Sequence, residues 1–385
     1  MKELNIGIIG YKFMGKAHSN AWKNVTNFFD VPIKPVMKVA CGRTKDAVQE
    51  FADNWGWEEV ETDWKKVVER DDIDVIDISV PPNLHAPIAI AAAKAGKHVF
   101  CEKPIALSTE EAQEMYEAAE EAGVVHYLNH NYRRCPAVML AKQMIEDGEL
   151  GKIYHWRGCY LQSWTMDPNF PLTWHMKKDI AGMGSNGGIN SHSVDLARFL
   201  VGEIKSVTGM MKTFIKERPL PGADAATFSA GSGEATEMGE VEVEDAISML
   251  VEFENGALGS FEATTFAIGR ENYNYFEIYG SKGAVIWNLE RMNELQYYSA
   301  DDPEGKKGFR TILATQPSHP YISHWWPPAH NIGYEHEFHH AVYDFLKAVA
   351  GDGSIAPNFY DGVLGMKVLE AGIESAEKEK QIDID

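Results

Sequence analysis

The sequence has few cysteines and no excess of basic residues. Its 385 residues include four cysteines, which are widely spaced and form no CxxC pair. This argues against a disulfide framework or a cysteine-based zinc site. Lys and Arg number 36 against 57 Asp and Glu, so the formal net charge is −21. Because an acidic surface repels phosphate groups, we expect neither nucleic acid nor a membrane surface as a partner.

The sequence also has no long hydrophobic run, and we expect no secretory leader. No segment approaches the roughly 18 apolar residues of a membrane-spanning helix. After Met1 the chain passes directly into a strand-like segment, without the apolar core or cleavage site of a signal peptide. We therefore expect a cytoplasmic protein.

The first third of the chain alternates short strands with helices. The predicted strands are Leu4–Ile9, Val36–Cys41, Val75–Ile78, His98–Cys101 and Val124–Leu128. The predicted helices are Lys45–Asn54, Ala86–Ala95 and Thr109–Ala122. Ser108 and Glu111 are spaced as a capping box at the start of the last helix. This alternation predicts βαβ units and a buried parallel sheet.

From about Ile153 the pattern changes to longer alternating strands. They are Ile153–Leu161, Ile204–Lys216, Ala246–Phe253, Gly256–Thr265 and Tyr273–Gly280. Such strands indicate a largely antiparallel sheet that is open on one face. The helices predicted to cover its other face are Ser191–Leu200, Glu337–Ala350 and Gly362–Glu377. The predicted fold class is α/β: a Rossmann dinucleotide-binding domain over residues 1–128, then an α+β domain over residues 129–385 on a large, mainly antiparallel open sheet.

A glycine-rich turn, Gly10–Gly15, lies between the first strand and a helix, where a G-x-G-x-x-G fingerprint is expected. Gly10 permits the tight turn, Gly15 lets helix and strand pack closely, and a pyrophosphate would lie on the helix N-terminus. Lys12 replaces the middle glycine, and its ammonium could meet a phosphate oxygen instead. We interpret the segment as a nucleotide site, with a purely structural turn as the alternative.

The segment after the second strand bears on the choice of cofactor. NAD-preferring enzymes carry an acid here for the ribose 2′-hydroxyl, but Gly42, Arg43 and Thr44 are followed by no acid before Asp46. Arg43 and Thr44 could accept a 2′-phosphate, or Arg43 could simply point to solvent. The segment slightly favours NADP over NAD and leaves both open.

The turn Glu102-Lys103-Pro104 follows a strand at the carboxyl end of the parallel sheet, where doubly wound folds bind their ligands. A lysine here can donate a hydrogen bond to a substrate oxygen and stabilise an alkoxide as hydride leaves. Lys103 is therefore a candidate catalytic residue.

With these motifs the sequence resembles the glucose–fructose oxidoreductase / inositol dehydrogenase (Gfo/Idh/MocA) family. The matching segments, in the family's order, are Gly10–His18, Pro81–His85, Ala95–Pro104, Asn131–Arg134 with Pro136-Ala137, Ile189–Gly202 and Pro357–Gly362. Within the family, Tyr160–Trp174 and Phe261–Thr265 are most similar to NAD(P)-dependent sugar, anhydrosugar and glycoside dehydrogenases.

The resemblance implies a cleft between the two domains and a homo-oligomer, a dimer or tetramer, formed through the C-terminal sheet. It also implies that Lys103 and His192 carry the chemistry, with His192 as the general base for the hydroxyl proton. The predicted cofactor-binding residues are Gly10, Lys12, Phe13, Met14, Gly15, Gly42, Arg43, Thr44, Pro81, Asn83, His85, Glu102 and Lys103.

The chain departs from the family at one position of this site. The usual Asp-x-Gly-x-His is here Gly188-Ile189-Asn190-Ser191-His192, so the carboxylate that would share the proton with His192 is missing. Three explanations remain open: His192 suffices, Asp179 or Asp195 substitutes, or the chemistry has changed.

Aromatic and amide side chains between the two catalytic segments are predicted to line a sugar pocket. The predicted substrate-binding residues are Lys103, Tyr132, Arg133, Tyr160, Gln162, Trp164, Trp174, His175, Asn190 and His192. The alternative is that several of the aromatic residues belong to the core. The segment His336–His340 matches the zinc motif H-E-x-x-H, but no third histidine follows it. We expect no metal.

The sequence thus predicts an NAD(P)-dependent oxidoreductase that removes hydride from a secondary hydroxyl of a sugar, anhydrosugar or glycoside, C3 being one candidate carbon. Two alternatives are kept. One is a redox-assisted glycosidase or lyase with tightly bound NAD. The other is a non-catalytic sugar or cofactor sensor.

Overall fold

The structure is a computed structural model that describes residues 2–221, 237–353 and 355–384. The chain divides into two compact units. Unit 1 comprises Met1–Arg134 and Tyr321–Leu364, and unit 2 comprises Cys135–Pro320 and Gly365–Asp385. The domain limits predicted from the sequence, 1–128 and 129–385, stay a prediction.

The secondary structure follows the predicted alternation of strands and helices. The strands are β1 (Glu3–Ile9), β2 (Lys34–Cys41), β3 (Glu59–Glu61), β4 (Val75–Ile78), β5 (His98–Glu102), β6 (His126–Asn129), β7 (Ile153–Leu161), β8 (Ile204–Lys212), β9 (Glu217–Pro219), β10 (Met238–Glu240), β11 (Ala246–Phe253), β12 (Leu258–Thr264), β13 (Tyr273–Gly280), β14 (Gly283–Asn288), β15 (Glu294–Ser299), β16 (Arg310–Leu313) and β17 (Ile382–Asp383). The helices are α1 (Phe13–Phe28), α2 (Lys45–Trp55), α3 (Trp64–Val68), α4 (His85–Lys94), α5 (Thr109–Ala122), α6 (Pro136–Glu146), α7 (Lys178–Ala181), α8 (Ser191–Leu200), α9 (Tyr334–Val349) and α10 (Phe359–Lys378).

Unit 1 is built on a six-stranded parallel sheet with the order β3-β2-β1-β4-β5-β6. Successive strands run outward from β1 in one direction and from β4 in the other. The strand order therefore reverses between β1 and β4, the point at which doubly wound sheets bind ligands at the carboxyl ends of their strands. The predicted Rossmann fold is confirmed.

Helix α5 shows how local sequence sets an element of this unit. The hydroxyl of Ser108 accepts a hydrogen bond from the backbone N–H of Glu111 at 3.2 Å, as predicted for an N-cap. The Glu111 carboxylate in turn accepts from the N–H of Leu107 at 3.0 Å, one residue before the N-cap itself. The helix ends at Gly123, whose φ of 63° is the left-handed conformation that glycine favours.

Helix α9 differs from the prediction, which placed it on the C-terminal sheet. It packs instead in the core of unit 1, where Phe338 and Phe345 are completely buried. The ring of Phe345 lies edge-on to Trp22 of α1, with the ring centroids 6.1 Å apart. The physical reason is complementarity of the two apolar helix faces, which the helical period alone does not reveal.

Unit 2 is built on a nine-stranded sheet with the order β16-β15-β14-β13-β7-β12-β11-β8-β17. Neighbouring strands are antiparallel except β7 and β12, which are parallel. This confirms the large, mainly antiparallel sheet and adds β14–β16 and β17, which were not predicted. Strand β8 ends at Lys212, before the predicted Lys216, because Asp245 accepts hydrogen bonds from the N–H groups of Phe214 and Ile215.

One face of this sheet is covered and the other is open. Buried aromatic rings fill the covered face, where Trp156 stacks on Phe276 with centroids 5.2 Å apart. On the open face, Met210, Leu250 and Leu258 keep 76%, 65% and 56% of their surface exposed. Among the described residues, no helix combines the length and the apolar character that a membrane crossing requires.

Candidate active site

The glycine-rich turn of unit 1 leaves no room for side chains at its two glycines. Gly10 has a φ of 119°, and a Cβ at Gly15 would lie 2.4 Å from the carbonyl oxygen of Gly10. The first turn of α1 contains no acidic residue, and no side chain caps its N–H groups. Lys12 and Phe13 are exposed, and Met14 is half-buried. A narrow turn with N–H groups and no negative charge fits the pyrophosphate of a dinucleotide.

The residues after β2 stand beside this turn. A Cβ at Gly42 would lie 2.1 Å from the ring of Tyr11, so the tyrosine occupies the space that a side chain would need. Arg43 and Thr44 are both exposed. Neither side chain therefore packs in the core, and both are accessible to a ligand.

The segment Pro81–His85 contacts the turn that carries Lys103. The His85 ring is completely buried, with one nitrogen 2.8 Å from the Val80 carbonyl oxygen and the other 2.8 Å from that of Pro104. It therefore joins the end of β4 to the turn that carries Lys103. Asn83 and Pro81 are half-buried at the surface of this segment.

Lys103 follows β5 directly and is half-buried. Burial lowers the pKa of its ammonium below the usual value, and the neighbouring charge of Glu102 opposes that shift. The Glu102 carboxylate is almost completely buried and accepts a hydrogen bond from the Lys103 backbone N–H at 3.2 Å. A lysine whose pKa is lowered by burial is a suitable proton donor for a substrate oxygen.

Below this turn lies a buried group of polar side chains that the sequence analysis did not predict. The His18 ring is 2.7 Å from an oxygen of Asp77 and 2.9 Å from an oxygen of Glu102. Asn129, the last residue of β6, donates to the same Glu102 oxygen at 2.6 Å. His18 closes the glycine-rich motif, which was the only signal available in the sequence.

Tyr132 and Arg133, which were predicted with Lys103 to face the substrate from unit 1, are both buried. Tyr132 packs near Tyr334, with ring centroids 6.4 Å apart. The Arg133 guanidinium donates to Asp361 at 3.3 Å. This contact ties the short helix after β6 to the start of α10.

In unit 2, His192 lies in the first turn of α8, immediately after a π-helical turn over Asn186–Asn190. Such turns are rare and occur frequently at functional sites. The His192 ring is almost completely buried, and its centroid is 5.9 Å from that of Tyr160. A Cβ at Gly188 would meet no atom within 4 Å, so the position of the missing family carboxylate opens on free space.

Asn190 stands at the end of the same turn and is completely buried. Its side-chain amide nitrogen donates to the side-chain oxygen of Asn186 at 3.0 Å. Its side-chain oxygen, Oδ1, has no hydrogen-bond partner among the residues that the structure describes. The two acids considered as substitutes differ in environment: Asp179 is exposed on α7, and Asp195 is buried in α8.

A chain of hydrogen bonds links the predicted sugar-binding residues of unit 2. Asn272 accepts from the Tyr160 hydroxyl at 2.6 Å and from the Gln162 amide at 2.9 Å. The indole of Trp164 donates to the Gln162 oxygen at 3.0 Å. Asn272 was missed in the sequence because it lies more than a hundred residues from its partners, in a loop without a motif.

Trp174 and His175 stand next to this chain. Their rings are stacked 3.6 Å apart, and the His175 ring is 5.5 Å from that of Trp164. The surrounding loop is fixed by Arg218, whose buried guanidinium donates to the carbonyl oxygens of Thr165 and Asp167. The aromatic residues therefore lie on an irregular segment that is held from within.

The H-E-x-x-H segment lies in α9. His340 Nε2 accepts from the indole of Trp325 at 2.7 Å, and Glu337 accepts from the amide of Asn131 at 2.7 Å. Burial lowers the pKa of His340 and raises that of Glu337. In the described part of the chain, no three His, Cys, Asp or Glu side chains are grouped so as to hold a metal ion.

Comparison with known proteins decides the family. Residues 4–130 match the profile of an oxidoreductase family with an NAD-binding Rossmann fold, and residues 138–286 match the GFO/IDH/MocA C-terminal domain. The chain belongs to the Gfo/Idh/MocA oxidoreductase family. The resemblance inferred from the sequence is thereby confirmed, together with the prediction of an oxidoreductase whose Rossmann domain binds NAD.

Individual members of the family match over the whole chain. Levoglucosan dehydrogenase from Pseudarthrobacter phenanthrenivorans is 45% identical over 100% of this chain and 99% of its own. A solved structure of levoglucosan dehydrogenase in complex with NADH and levoglucosan has 44% identity and a TM-score of 0.94, with complete coverage of both chains. An oxidoreductase domain protein from Kribbella flavida has 45% identity and the same TM-score, also with complete coverage.

We predict that Gly15→Ala weakens NADH binding at least about tenfold, because the added Cβ forces the turn open. Titration of NADH by fluorescence measures the effect. Gly308→Ala is the matched control, since a Cβ there meets no atom within 4 Å and should leave the affinity unchanged. Equal affinity for Gly15→Ala and wild type would contradict the assignment of this turn to the pyrophosphate.

Proposed function

We propose that this protein is an NAD-dependent dehydrogenase that oxidises a secondary hydroxyl of a sugar or anhydrosugar, levoglucosan being the first substrate to test. The proposal is carried by Lys103, a half-buried lysine at the carboxyl end of β5 in a Rossmann unit. The full-length similarity to levoglucosan dehydrogenase supports this substrate class. It also favours a dehydrogenase over the redox-assisted glycosidase and the sensor.

Lys103 donates a hydrogen bond to the reacting oxygen and stabilises the negative charge that forms there. Only the ammonium can do this, so activity falls as pH rises through the pKa of Lys103. Since burial lowers that pKa, the loss begins at a lower pH than for an exposed lysine. NAD, when bound along Gly10–Gly15, supplies the acceptor for the hydride.

His192 takes the hydroxyl proton. An imidazole is suited to this because its ordinary pKa lies near working pH. Of the three explanations for the missing acid, we favour that His192 suffices: no side chain fills the space that a Cβ at Gly188 would enter, and Asp179 is exposed on α7. The side-chain oxygen Oδ1 of Asn190, which has no hydrogen-bond partner among the described residues, offers an acceptor two residues before His192.

The sugar is bound by the hydrogen-bond chain through Asn272 and by the aromatic rings around it. Sugars present hydroxyls to amides and C–H faces to aromatic rings. Gln162 and Asn272 supply the amides, and Trp164 and Trp174 supply indole rings. Gln162, Trp164 and Trp174 lie on one segment of unit 2, and Asn272 joins them from another loop.

We predict that Lys103→Ala lowers kcat for levoglucosan about 100-fold or more, because the developing oxyanion loses its donor. Reduction of NAD is followed by the absorbance of NADH over a panel of sugars and anhydrosugars. Lys94→Ala, which removes an exposed lysine on α4, should keep wild-type activity. Wild-type turnover that survives in Lys103→Ala would contradict the role of Lys103, and no turnover on any substrate would contradict the dehydrogenase.

The cofactor proposal includes NADP as a second acceptor, held through the exposed Arg43. Arg43→Ala should lower kcat/KM for NADP about tenfold and for NAD less than about threefold, because only NADP carries the 2′-phosphate. Lys66→Ala removes the same charge from the exposed surface of α3 and serves as the control. An equal loss with both cofactors would show that Arg43 does not recognise the phosphate.

We also propose that the open face of the nine-stranded sheet joins copies of this chain in a dimer or tetramer. Exposed apolar side chains concentrate there, among them Met210, Leu250 and Leu258, and patches of this kind mark interaction surfaces.

Leu250→Glu should therefore shift the mass measured by light scattering toward the monomer, since it places a charge in the contact. Tyr360→Glu, at an exposed aromatic residue of unit 1, should leave the mass unchanged. A wild-type monomer at micromolar concentration would contradict the proposal.

A further inference from the structure

We propose that His18 is a positioning residue of the reaction: as an imidazolium between Asp77 and Glu102, it fixes the Glu102 carboxylate beneath Lys103 and thereby sets the charge and direction of the lysine ammonium. The inference rests on the proposed role of Lys103. It assigns a function to a buried histidine of α1 that acts through Glu102.

The geometry requires a doubly protonated ring. His18 is 1% exposed, with Nδ1 2.7 Å from Asp77 Oδ1 and Nε2 2.9 Å from Glu102 Oε1. An ionised carboxylate can only accept hydrogen bonds, so each ring nitrogen donates to its carboxylate. The amide nitrogen of Asn129 also lies 3.2 Å from Nε2, but it donates to Glu102 Oε1 at the shorter distance of 2.6 Å. Burial lowers the pKa of His18, but the charges and hydrogen bonds of the two carboxylates outweigh it and raise the pKa to about 10.

The two carboxylates are held at their remaining oxygens as well. Asp77 accepts from the indole of Trp22 at 2.6 Å. Glu102 accepts from Asn129 at 2.6 Å through the oxygen that also faces His18, and its other oxygen accepts from the Lys103 backbone N–H. The last contact connects the buried group to the turn that carries the reacting lysine.

No other charge faces the imidazole from the elements packed against it. From β5 and α9 the neighbours of His18 are the rings of Phe100 and Phe338. Cys101, between Phe100 and Glu102, stays a neutral thiol because burial raises its pKa. Among the described residues, the charge on His18 is therefore determined by Asp77 and Glu102.

The charges of this group balance only when Lys103 is included. Two carboxylates and one imidazolium leave one negative charge, which the Lys103 ammonium compensates. If the imidazolium is removed, two like charges remain buried side by side, and one of them must take up a proton. When Glu102 takes up that proton, Lys103 loses its counter-charge. The pKa of the Lys103 ammonium then falls, and the lysine loses its proton at a lower pH.

Two double variants test this, because each removes one positive and one negative charge. His18→Asn/Asp77→Asn keeps the Glu102 carboxylate, whereas His18→Asn/Glu102→Gln loses it. We measure kcat for levoglucosan oxidation by NAD between about pH 6 and pH 11, spanning the ordinary range of lysine.

In His18→Asn/Glu102→Gln, the high-pH limb of the profile should move down by about one pH unit. In His18→Asn/Asp77→Asn it should return to the wild-type position. Identical profiles for the two double variants would overturn the proposal. A wild type without turnover would instead contradict the proposed function, which keeps the two failures distinct.

His340→Gln is the control for the loss of a buried imidazole. The His340 ring is completely buried in unit 1 and bonds to Trp325 and to the Arg134 carbonyl oxygen at 2.8 Å, without a carboxylate. This variant should unfold at a lower temperature and keep the wild-type pH profile. A shifted profile would mean that destabilisation alone moves the limb, and would contradict the proposal.

A second measurement does not depend on the variants folding. In the wild-type protein labelled with ¹⁵N-histidine, one imidazole should remain doubly protonated at about pH 8.5, two units above the ordinary pKa of histidine. A spectrum in which every imidazole is neutral at that pH would overturn the proposal.

Discussion

Two carboxylates lie in the interior of unit 1, and the need to compensate their charge constrains the structure around them. Asp77 and Glu102 belong to adjacent parallel strands, β4 and β5, and both are buried. A buried carboxylate without partners costs several kcal/mol. The compensating groups come from two elements: α1 supplies His18 and Trp22, and β6 supplies Asn129. The same contacts that neutralise the acids thus hold α1 in place over the strand ends.

This constraint links the two functional turns of the unit. Helix α1 begins at the glycine-rich turn, and β5 ends at Lys103. Because His18 lies in the second turn of α1 and contacts the last residue of β5, the two turns cannot move independently. In unit 2 a functional segment is held by a different contact. The buried Arg218 donates to main-chain carbonyl oxygens and so fixes the irregular segment of aromatic residues.

The parts of the fold that could be predicted from the sequence are those determined by local pattern. The period of the apolar residues located β4, β7, β11, β13 and α8 to the residue. Placement of Lys103 at the carboxyl end of β5 followed from the strand that precedes it. Local pattern does not say which surface an amphipathic helix covers, and α9 was assigned to the wrong sheet for this reason.

The parts of the site that were missed depend on contacts between distant residues. His18 and Asp77 are 59 residues apart, and Gln162 and Asn272 are 110 residues apart. A polar side chain at such a position has no periodic signal, since its partner is selected by the folded topology. Strands β14 to β16 were also missed. They are short and lie at one edge of the sheet, beyond the longer strands that were predicted.

The contact between Tyr11 and position 42 has a consequence for redesign. Since the Tyr11 ring fills the space beside Gly42, no side chain can be introduced there without displacing the ring. An engineer who wished to change the preferred coenzyme would therefore leave position 42 alone and work at Arg43 and Thr44. Both are exposed, and substitutions at exposed positions usually change stability by less than about 0.5 kcal/mol. Coenzyme choice in this scaffold is thus separable from folding, and it can be varied by libraries at two adjacent codons.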